Sequence, residues 1–321
     1  MKHTPKIDSN PPASLNTVKD FVLWGEKLFD DAGIFFGHGT DSALDEAAWL
    51  ILHALGLPVT DMEPHLNRAL NEGEKVAIKG LLHTRIKTRK PAAYLTGEAW
   101  FAGLPFYVDE RVLVPRSHLA QFILERFAPW INETKMNRAL DLCTGSGCIA
   151  VALNHAFEGA RIDATDISEQ ALEVARRNFK THQLDNRVRA IQSDLFSNLQ
   201  GRHYDLIVSN PPYIEDDRID SFPDEYQHEP RLALSAGPLG LDIINRIIDQ
   251  ASDFLSDHGV LVVEVGYART ALEAAHPNLP FIWLEAESVE ASVFLLEKKE
   301  LDQYTPLYNA GPLPQPSQRQ P

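Results

Sequence analysis

The chain has 321 residues, 44% of them hydrophobic and 23% charged, with 30 Lys+Arg against 45 Asp+Glu and a formal net charge of −15. That is globular composition sized for one large domain or two ordinary ones, and too acidic for a bulk nucleic-acid binder, whose affinity rests on cationic contacts to phosphate. No apolar run approaches the ~18 residues of a membrane span, residues 1–13 are polar with three prolines and read as no signal peptide, and two cysteines build neither a disulfide framework nor a zinc site, so a reducing cytoplasm is expected.

Residues 1–14 are expected to be disordered, and helices follow. Val18, Phe21, Val22, Leu28 and Phe29 fall on one face at helical spacing. Asp41-Ser42 starts a second helix, with Ser42 and Asp45 fitting a capping box. Its apolar stripe is Leu44, Ala47, Ala48, Ile51, Leu52 and Leu55. Pro58 follows its end, and a third piece runs through Leu66 and Leu70. A fourth helix covers residues 74–89, with Ile78, Leu82 and Ile86 on one stripe and Lys75, Lys79, His83 and Lys87 on another, Lys90 lying beyond. The basic stripe has two readings, a solvated face or a docking patch for an RNA-rich partner. Pro91 breaks the helix. Residues 94–108 then look like strand with a turn near Gly103, a connector closed by Val112-Leu113-Val114-Pro115-Arg116.

From about Ser117 strands and helices alternate. Strands are expected at 139–142, 161–165, 188–192, 206–209 and 260–265, and helices from Cys148, over 168–181 and over 241–255. Such alternation argues an α/β fold, a parallel sheet with helices on both faces. Strands near 281–284 and 293–297 form a hairpin. The tail from Gln303 has five prolines in 19 residues and is expected to be disordered. Trp24, Trp49 and Trp130 read as core.

The first chemical site is Asp141-Leu142-Cys143-Thr144-Gly145-Ser146-Gly147-Cys148-Ile149-Ala150. It joins a strand to a helix at the carboxyl edge of the sheet, where open α/β folds bind ligands. Its glycines let the backbone approach a ligand, and the helix N-terminus offers free N–H groups. Gly145-x-Gly147-x-x-Ala150 also fits a dinucleotide fingerprint, so NAD competes at this point. Asp166, 19 residues past Gly147, ends the next strand and suits a ribose diol, or else caps the following helix. Asp194 shares the edge and can face an adenine amino group, with Leu195 and Phe196 as apolar surface for the ring.

The second site is Asn210-Pro211-Pro212-Tyr213, directly after a strand. Two prolines lack N–H groups and have fixed φ, so they form a rigid rim with outward carbonyls. A planar –NH2 can give one hydrogen to the Asn210 side-chain oxygen and one to the Pro211 carbonyl. Tyr213 adds a flat face. Acceptors outside the amide plane favour a pyramidal nitrogen and so stabilise the transition state more than the ground state.

Asp141-x-Cys143-x-Gly145-x-Gly147, Asp166 and Asn210-Pro211-Pro212-Tyr213 resemble the motifs of class I S-adenosylmethionine-dependent methyltransferases acting on a planar –NH2. More narrowly, the chain resembles the HemK-like protein glutamine methyltransferases over about residues 15–302. The stretch from Tyr94-Leu95-Thr96-Gly97-Glu98 to Gly103-Leu104, with Val114-Pro115-Arg116-Ser117, is similar to the branch that methylates a large-subunit ribosomal protein. The release-factor branch shows Pro-Arg-Pro, and Gly where Cys143 stands here. Glu229-Pro230-Arg231-Leu232-Ala233-Leu234 also resembles the family.

The resemblance implies a disordered N-terminus (1–14), a small helical substrate-binding domain (15–90), a β-hairpin connector (91–114), a Rossmann-like seven-stranded catalytic domain (115–302) and a Pro-rich tail (303–321). It implies S-adenosylmethionine as cofactor, held by Asp141, Cys143, Thr144, Gly145, Ser146, Gly147, Asp166, Asp194, Leu195 and Asn210. The acceptor would be a glutamine of ribosomal protein number three of the large subunit, free or on an assembling particle, held by Asn210, Pro211, Pro212 and Tyr213. Gln121 departs from the family, which has Glu there.

The 12 histidines form no ligand pattern, so no metal is expected. Cys143 and Cys148 read as small buried residues, and Glu225 and Glu229 near Arg231 as an ion-paired loop. The competing functions are a release-factor glutamine methyltransferase, a DNA adenine-amino methyltransferase, an NAD enzyme and a non-catalytic ribosome-binding module. Neither membrane nor direct DNA binding is expected.

Overall fold

A computed structural model describes residues 12, 14–59, 62–285 and 292–304. The expectations for residues 1–11 and 305–321, and the turn 286–291 of the last hairpin, lie outside the described residues. The described chain stays packed beyond the expected start of the tail, since the Tyr304 hydroxyl lies 2.6 Å from His276 Nδ1.

Helix α1 (Val18–Asp31) begins at a reciprocal Thr17–Asp20 capping box and buries Val18, Phe21, Val22, Leu28 and Phe29. Helix α2 (Ala43–Ala54) begins at Ser42, whose hydroxyl accepts the Asp45 N–H; Leu44 of its expected stripe is exposed. Helix α3 (Glu72–Thr88) is capped by Asn71 and buries Ile78 and Leu82 against the other two. Each large apolar side chain buried this way contributes roughly 1.5–3 kcal/mol. The third helical piece expected near Leu66 and Leu70 is absent. That segment makes one 3-10 turn at Glu63–His65, and its Leu66 and Arg68 carbonyls accept the Lys19 and Val18 N–H groups. Its backbone is committed to the free N–H groups at the start of α1.

Residues 94–96 also differ from expectation. Helix α4 (Ala92–Thr96) follows Pro91 and ends at Gly97, which has φ +68. Proline pre-sets φ for a helix start, alanines propagate it, and a left-handed glycine stops it. Only then come strands β1 (Glu98–Phe101) and β2 (Leu104–Tyr107). Ala102 and Gly103 between them both have positive φ, at 49° and 76°, as the two-residue turns of tight hairpins require.

The remainder is α5 (Leu119–Leu124), β3 (Arg138–Leu142), α6 (Cys148–Ala156), β4 (Arg161–Asp166), α7 (Glu169–Thr181), β5 (Val188–Gln192), β6 (Tyr204–Ser209), α8 (Asp216–Ile219), α9 (Asp242–Phe254), β7 (Leu255–Glu264), α10 (Arg269–Ala275), β8 (Ile282–Glu285), β9 (Ser292–Glu297) and α11 (Lys298–Leu301). The seven-stranded sheet runs β5-β4-β3-β6-β7-β9-β8. Pairs from β5 to β7 are parallel, and β9 is antiparallel to both its neighbours. Trp49 is buried, whereas Trp130 is 38% exposed in the turns after α5, outside the core it was expected to join.

Strand order decides where a ligand can sit. The chain builds β3, β4 and β5 outward, then returns to place β6 beside β3. Connections leave in opposite directions from β3 and β6, which opens a crevice at their carboxyl ends.

Candidate active site

The β3–β6 register pairs Leu142 with Ser209. The next residues are Cys143 and Asn210, so the Gly loop and the Asn-Pro-Pro-Tyr loop leave the sheet side by side. The Ser209 hydroxyl donates to the Leu142 carbonyl at 2.9 Å and ties the two exits together.

A cavity of about 440 Å³ opens there, within the range that holds small ligands. Of the sequence-predicted residues, Cys143, Thr144, Gly145, Ser146, Asp166, Asp194, Leu195, Asn210 and Pro212 line it. Asp141, Gly147, Pro211 and Tyr213 do not; Asp141, Gly147 and Tyr213 instead make contacts that support the loops. Asp141 is fully buried; its Oδ2 accepts Thr144 Oγ1 at 2.5 Å and the Ala150 N–H at 3.0 Å, pinning both ends of the Gly loop. Burial pushes its carboxyl up to about 7, against those two hydrogen bonds. Gly147 has φ +81, and a Cβ there would lie 2.5 Å from Phe179 Cε1. Tyr213 packs against Gly266, with its hydroxyl 3.5 Å from Glu264 Oε1.

Other side chains also depart from expectation. Phe196 stacks on Phe254, ring centroids 4.6 Å apart, and does not line the cavity. Asp194 lines it, but its carboxylate accepts from Arg246 at 2.8 Å. Cys148 is buried, its thiol pushed up to about 12 by burial, while Cys143 is only half-buried and faces the cavity at φ +59. Gln121 lies outside the cavity wall and donates to Glu125.

Asp166 is half-buried, accepting the Gly145 N–H at 3.0 Å and the Ser168 N–H at 2.9 Å. Burial raises its carboxyl, and these amides oppose the shift. The helix-cap reading gives way, since Ser168 caps α7 with its hydroxyl accepting the Ala171 N–H, while Asp166 braces the Ser168 N–H and lines the cavity. The adjacent Thr165 Oγ1 is buried in the same wall without a hydrogen-bond partner. At Gly145, with φ +54, the Cβ position is open space. A carboxylate, an unpaired hydroxyl and an open glycine backbone fit the ribose and amino-acid parts of an adenosyl cofactor. Asn210, half-exposed, makes no side-chain hydrogen bond among the described residues, so its acceptor is uncommitted at the cavity wall.

Several supports were not among the expected site residues. Asn178 bridges the hairpin and the Gly loop, donating to the Ser146 carbonyl at 2.8 Å and accepting the Tyr107 N–H at 2.8 Å. Glu264 ends β7 on the ligand edge and accepts the Ser117 hydroxyl at 2.5 Å and the His118 N–H at 3.0 Å; its place at a strand's carboxyl end was the signal available. The loop holding Glu225 and Glu229 is ion-paired, but not through Arg231, which pairs with Asp220. Glu229 is buried and accepts from Arg116 Nη1 and Nη2, at 2.5 and 2.7 Å. Burial alone would raise its carboxyl, but Arg116 and His38 outweigh that and hold it down at about 2. Glu225 pairs with Arg85 and Arg89 of the helical segment, each at 3.4 Å, and Arg85 also donates to Glu46 at 2.6 Å.

The fold and the placement of the two loops define a class I S-adenosylmethionine-dependent methyltransferase. The family described as methyltransferase small domain matches residues 120–222, and that described as PrmC N-terminal domain matches residues 22–97. The ribosomal protein uL3 glutamine methyltransferase of Neisseria meningitidis serogroup B is 47% identical over 288 residues, 89% of this chain and 95% of that protein. Those of Francisella tularensis and Bordetella pertussis are 45% and 41% identical, over 91% and 92% of this chain and 93% and 100% of theirs. The chain belongs to this family of protein glutamine methyltransferases, and the resemblance to the ribosomal-protein branch holds. The dinucleotide reading of the Gly loop gives way to S-adenosylmethionine. Among the described residues no helix is long and apolar enough to cross a membrane.

Proposed function

We propose that this protein methylates the side-chain amide nitrogen of a glutamine in ribosomal protein uL3, the number-three protein of the large subunit. The observation that carries this is the uncommitted Asn210 carboxamide at the β3–β6 crevice, followed by two prolines whose fixed φ and missing N–H groups make the rim rigid.

In this reading Cys143 to Ser146, Asp166, Asp194 and Leu195 hold the cofactor, with Asp141 and Gly147 acting through the loop they brace. S-adenosylmethionine, when bound, supplies an electrophilic methyl group. The task of the protein is to present an amide nitrogen, a poor nucleophile because its lone pair is delocalised. Asn210 Oδ1 and the Pro211 carbonyl each accept one amide hydrogen and fix the nitrogen's orientation. As the nitrogen becomes pyramidal and positive, these acceptors bind its hydrogens more strongly, which stabilises the transition state selectively. The excess proton is lost to water afterwards, so no strong base is needed. Pro212 shapes the cavity wall, and Tyr213 supports the loop from behind.

The acceptor is met in the cytoplasm, as free protein or on an assembling particle, and the enzyme makes no direct contact with DNA. The test is a set of parallel incubations with labelled S-adenosylmethionine and three acceptors: uL3, a release factor and adenine-containing duplex DNA. Label on uL3 alone is expected. Label on the release factor instead would overturn the acceptor, and label on DNA would overturn the amide chemistry.

A further inference from the structure

Six of the chain's 30 Lys+Arg, namely Arg138, Arg161, Arg176, Arg187, Arg189 and Arg202, line one shallow depression of about 770 Å³. It lies at the amino-terminal ends of β3, β4 and β5. The candidate active site lies at the carboxyl ends of these strands, about 15–20 Å away at ~3.3 Å per residue.

Strand register makes the cluster. Arg138 pairs with Arg161 across β3 and β4, Asp163 pairs with Arg189 across β4 and β5, and the Ile162 N–H donates to the Arg187 carbonyl. Partners across parallel strands, and residues two apart on one strand, share a face. Arg202 and Arg138 converge on Asp163, at 2.7 and 3.3 Å, and Arg176 pairs with Glu169 at 2.6 Å. Arg161, Arg187 and Arg189 are exposed and make no ion pair among the described residues. The carboxylates in the lining are Asp163 and Asp185.

Six guanidinium groups met by Asp163, Asp185 and, from outside the lining, Glu169 leave an excess of positive charge that solubility does not require in a chain of net charge −15. Guanidinium is the side chain whose planar fork matches phosphate. The depression is open and three strands wide, about 10 Å, with its unpaired arginines at the surface. That suits successive phosphates of a polymer better than one enclosed small anion. The lysine stripe of α3 is a weaker candidate, since Lys75 pairs with Glu72 at 3.0 Å and Lys90 with Glu110 at 2.9 Å.

We propose that this arginine face binds the phosphate backbone of RNA, holding the enzyme on ribonucleoprotein while the opposite edge of the sheet reaches the glutamine. The choice of RNA over other polyanions rests on the ribosomal-protein reading above; the cluster itself does not.

The test uses the full chain as R161Q/R187Q/R189Q, with R161K/R187K/R189K as the charge-conserving control. Binding of a short fluorescent RNA hairpin is followed by anisotropy across a salt series. The Gln variant is expected to bind about tenfold more weakly or worse, and its slope of log affinity against log salt to fall by about 2, near 0.7 per lost phosphate contact. The Lys variant keeps most of the binding, and all three proteins methylate free acceptor at one rate. Wild type that binds RNA without methylating any acceptor would sink the proposed reaction and leave this inference standing. No RNA binding by wild type, equal binding by the Gln variant, or displacement of RNA by polyglutamate as readily as by unlabelled RNA would overturn it.

Discussion

Asn210 and the two loop glycines separate chemistry from architecture. The Asn210 carboxamide has no hydrogen bond within the described chain, so Asn210→Ala removes an acceptor without dismantling a brace. Turnover is expected to fall about 10²–10³-fold, as for other lost transition-state partners, with the calorimetric Kd for S-adenosylmethionine unchanged within about threefold. Equal losses in both would show that Asn210 serves cofactor binding instead. The glycines predict a contrast in stability. Both have left-handed φ, +54 at Gly145 and +81 at Gly147, which costs an alanine about 1–2 kcal/mol. At Gly145 the added methyl meets nothing, whereas at Gly147 it meets the Phe179 ring. Gly145→Ala therefore loses about 1 kcal/mol in urea unfolding, and Gly147→Ala about 3 kcal/mol or more. Indistinguishable midpoints would refute the packing account. Both loops were legible in the sequence because each follows a strand and carries residues with unusual backbone demands. The division between lining and bracing residues was not: Asp141 and Asp166 are both strand-end acids, and only the turn geometry sends one into the core.

Among the elements, the segment 224–235 is the least expected feature, because it ties the helical segment to the cavity. Glu225 reaches Arg85, 140 residues away in sequence, and Glu229 reaches Arg116, 113 away. Pro230 to Ala233 line the cavity next to these anchors. The sequence showed the acids but not their partners, since ion pairs at such separations carry no spacing signature. Glu229 also sets an acid limb. Its carboxyl has an ordinary value of 4.5 and is held at about 2 in the fold, so its contribution is complete above about pH 4.5 and is lost as pH falls toward 2. That contribution is about 3 kcal/mol. Glu229→Gln is expected to lose about 3–5 kcal/mol at neutral pH, because Arg116 is left without its partner, and then to converge on wild type as pH approaches 2. Parallel acid limbs in denaturant titrations would contradict this. Local chemistry also explains the two misplaced elements. Pro91-Ala92-Ala93 starts a helix where aromatic content suggested a strand, and the carbonyls of 66–68 serve the start of α1 instead of a helix of their own.

For the whole molecule, the α/β alternation was legible as strand and helix periodicity, and the expected strand positions fall on β3 to β9 with shifts at their ends. Strand order was not legible, and it is strand order that makes the switch point beside β3 and β6 and gathers six arginines spread over residues 138–202 at the opposite edge. A search for basic runs finds Lys75 to Lys90 and misses that face entirely. The acceptor claim is tested most directly by intact and fragment mass of uL3 after incubation with S-adenosylmethionine and either wild type or Asn210→Ala. A gain of one methyl, about 14 Da, is expected with wild type, mapped to the side-chain amide of one glutamine and nearly abolished by the variant. A methyl on any other side chain, or the same yield from the variant, would contradict it.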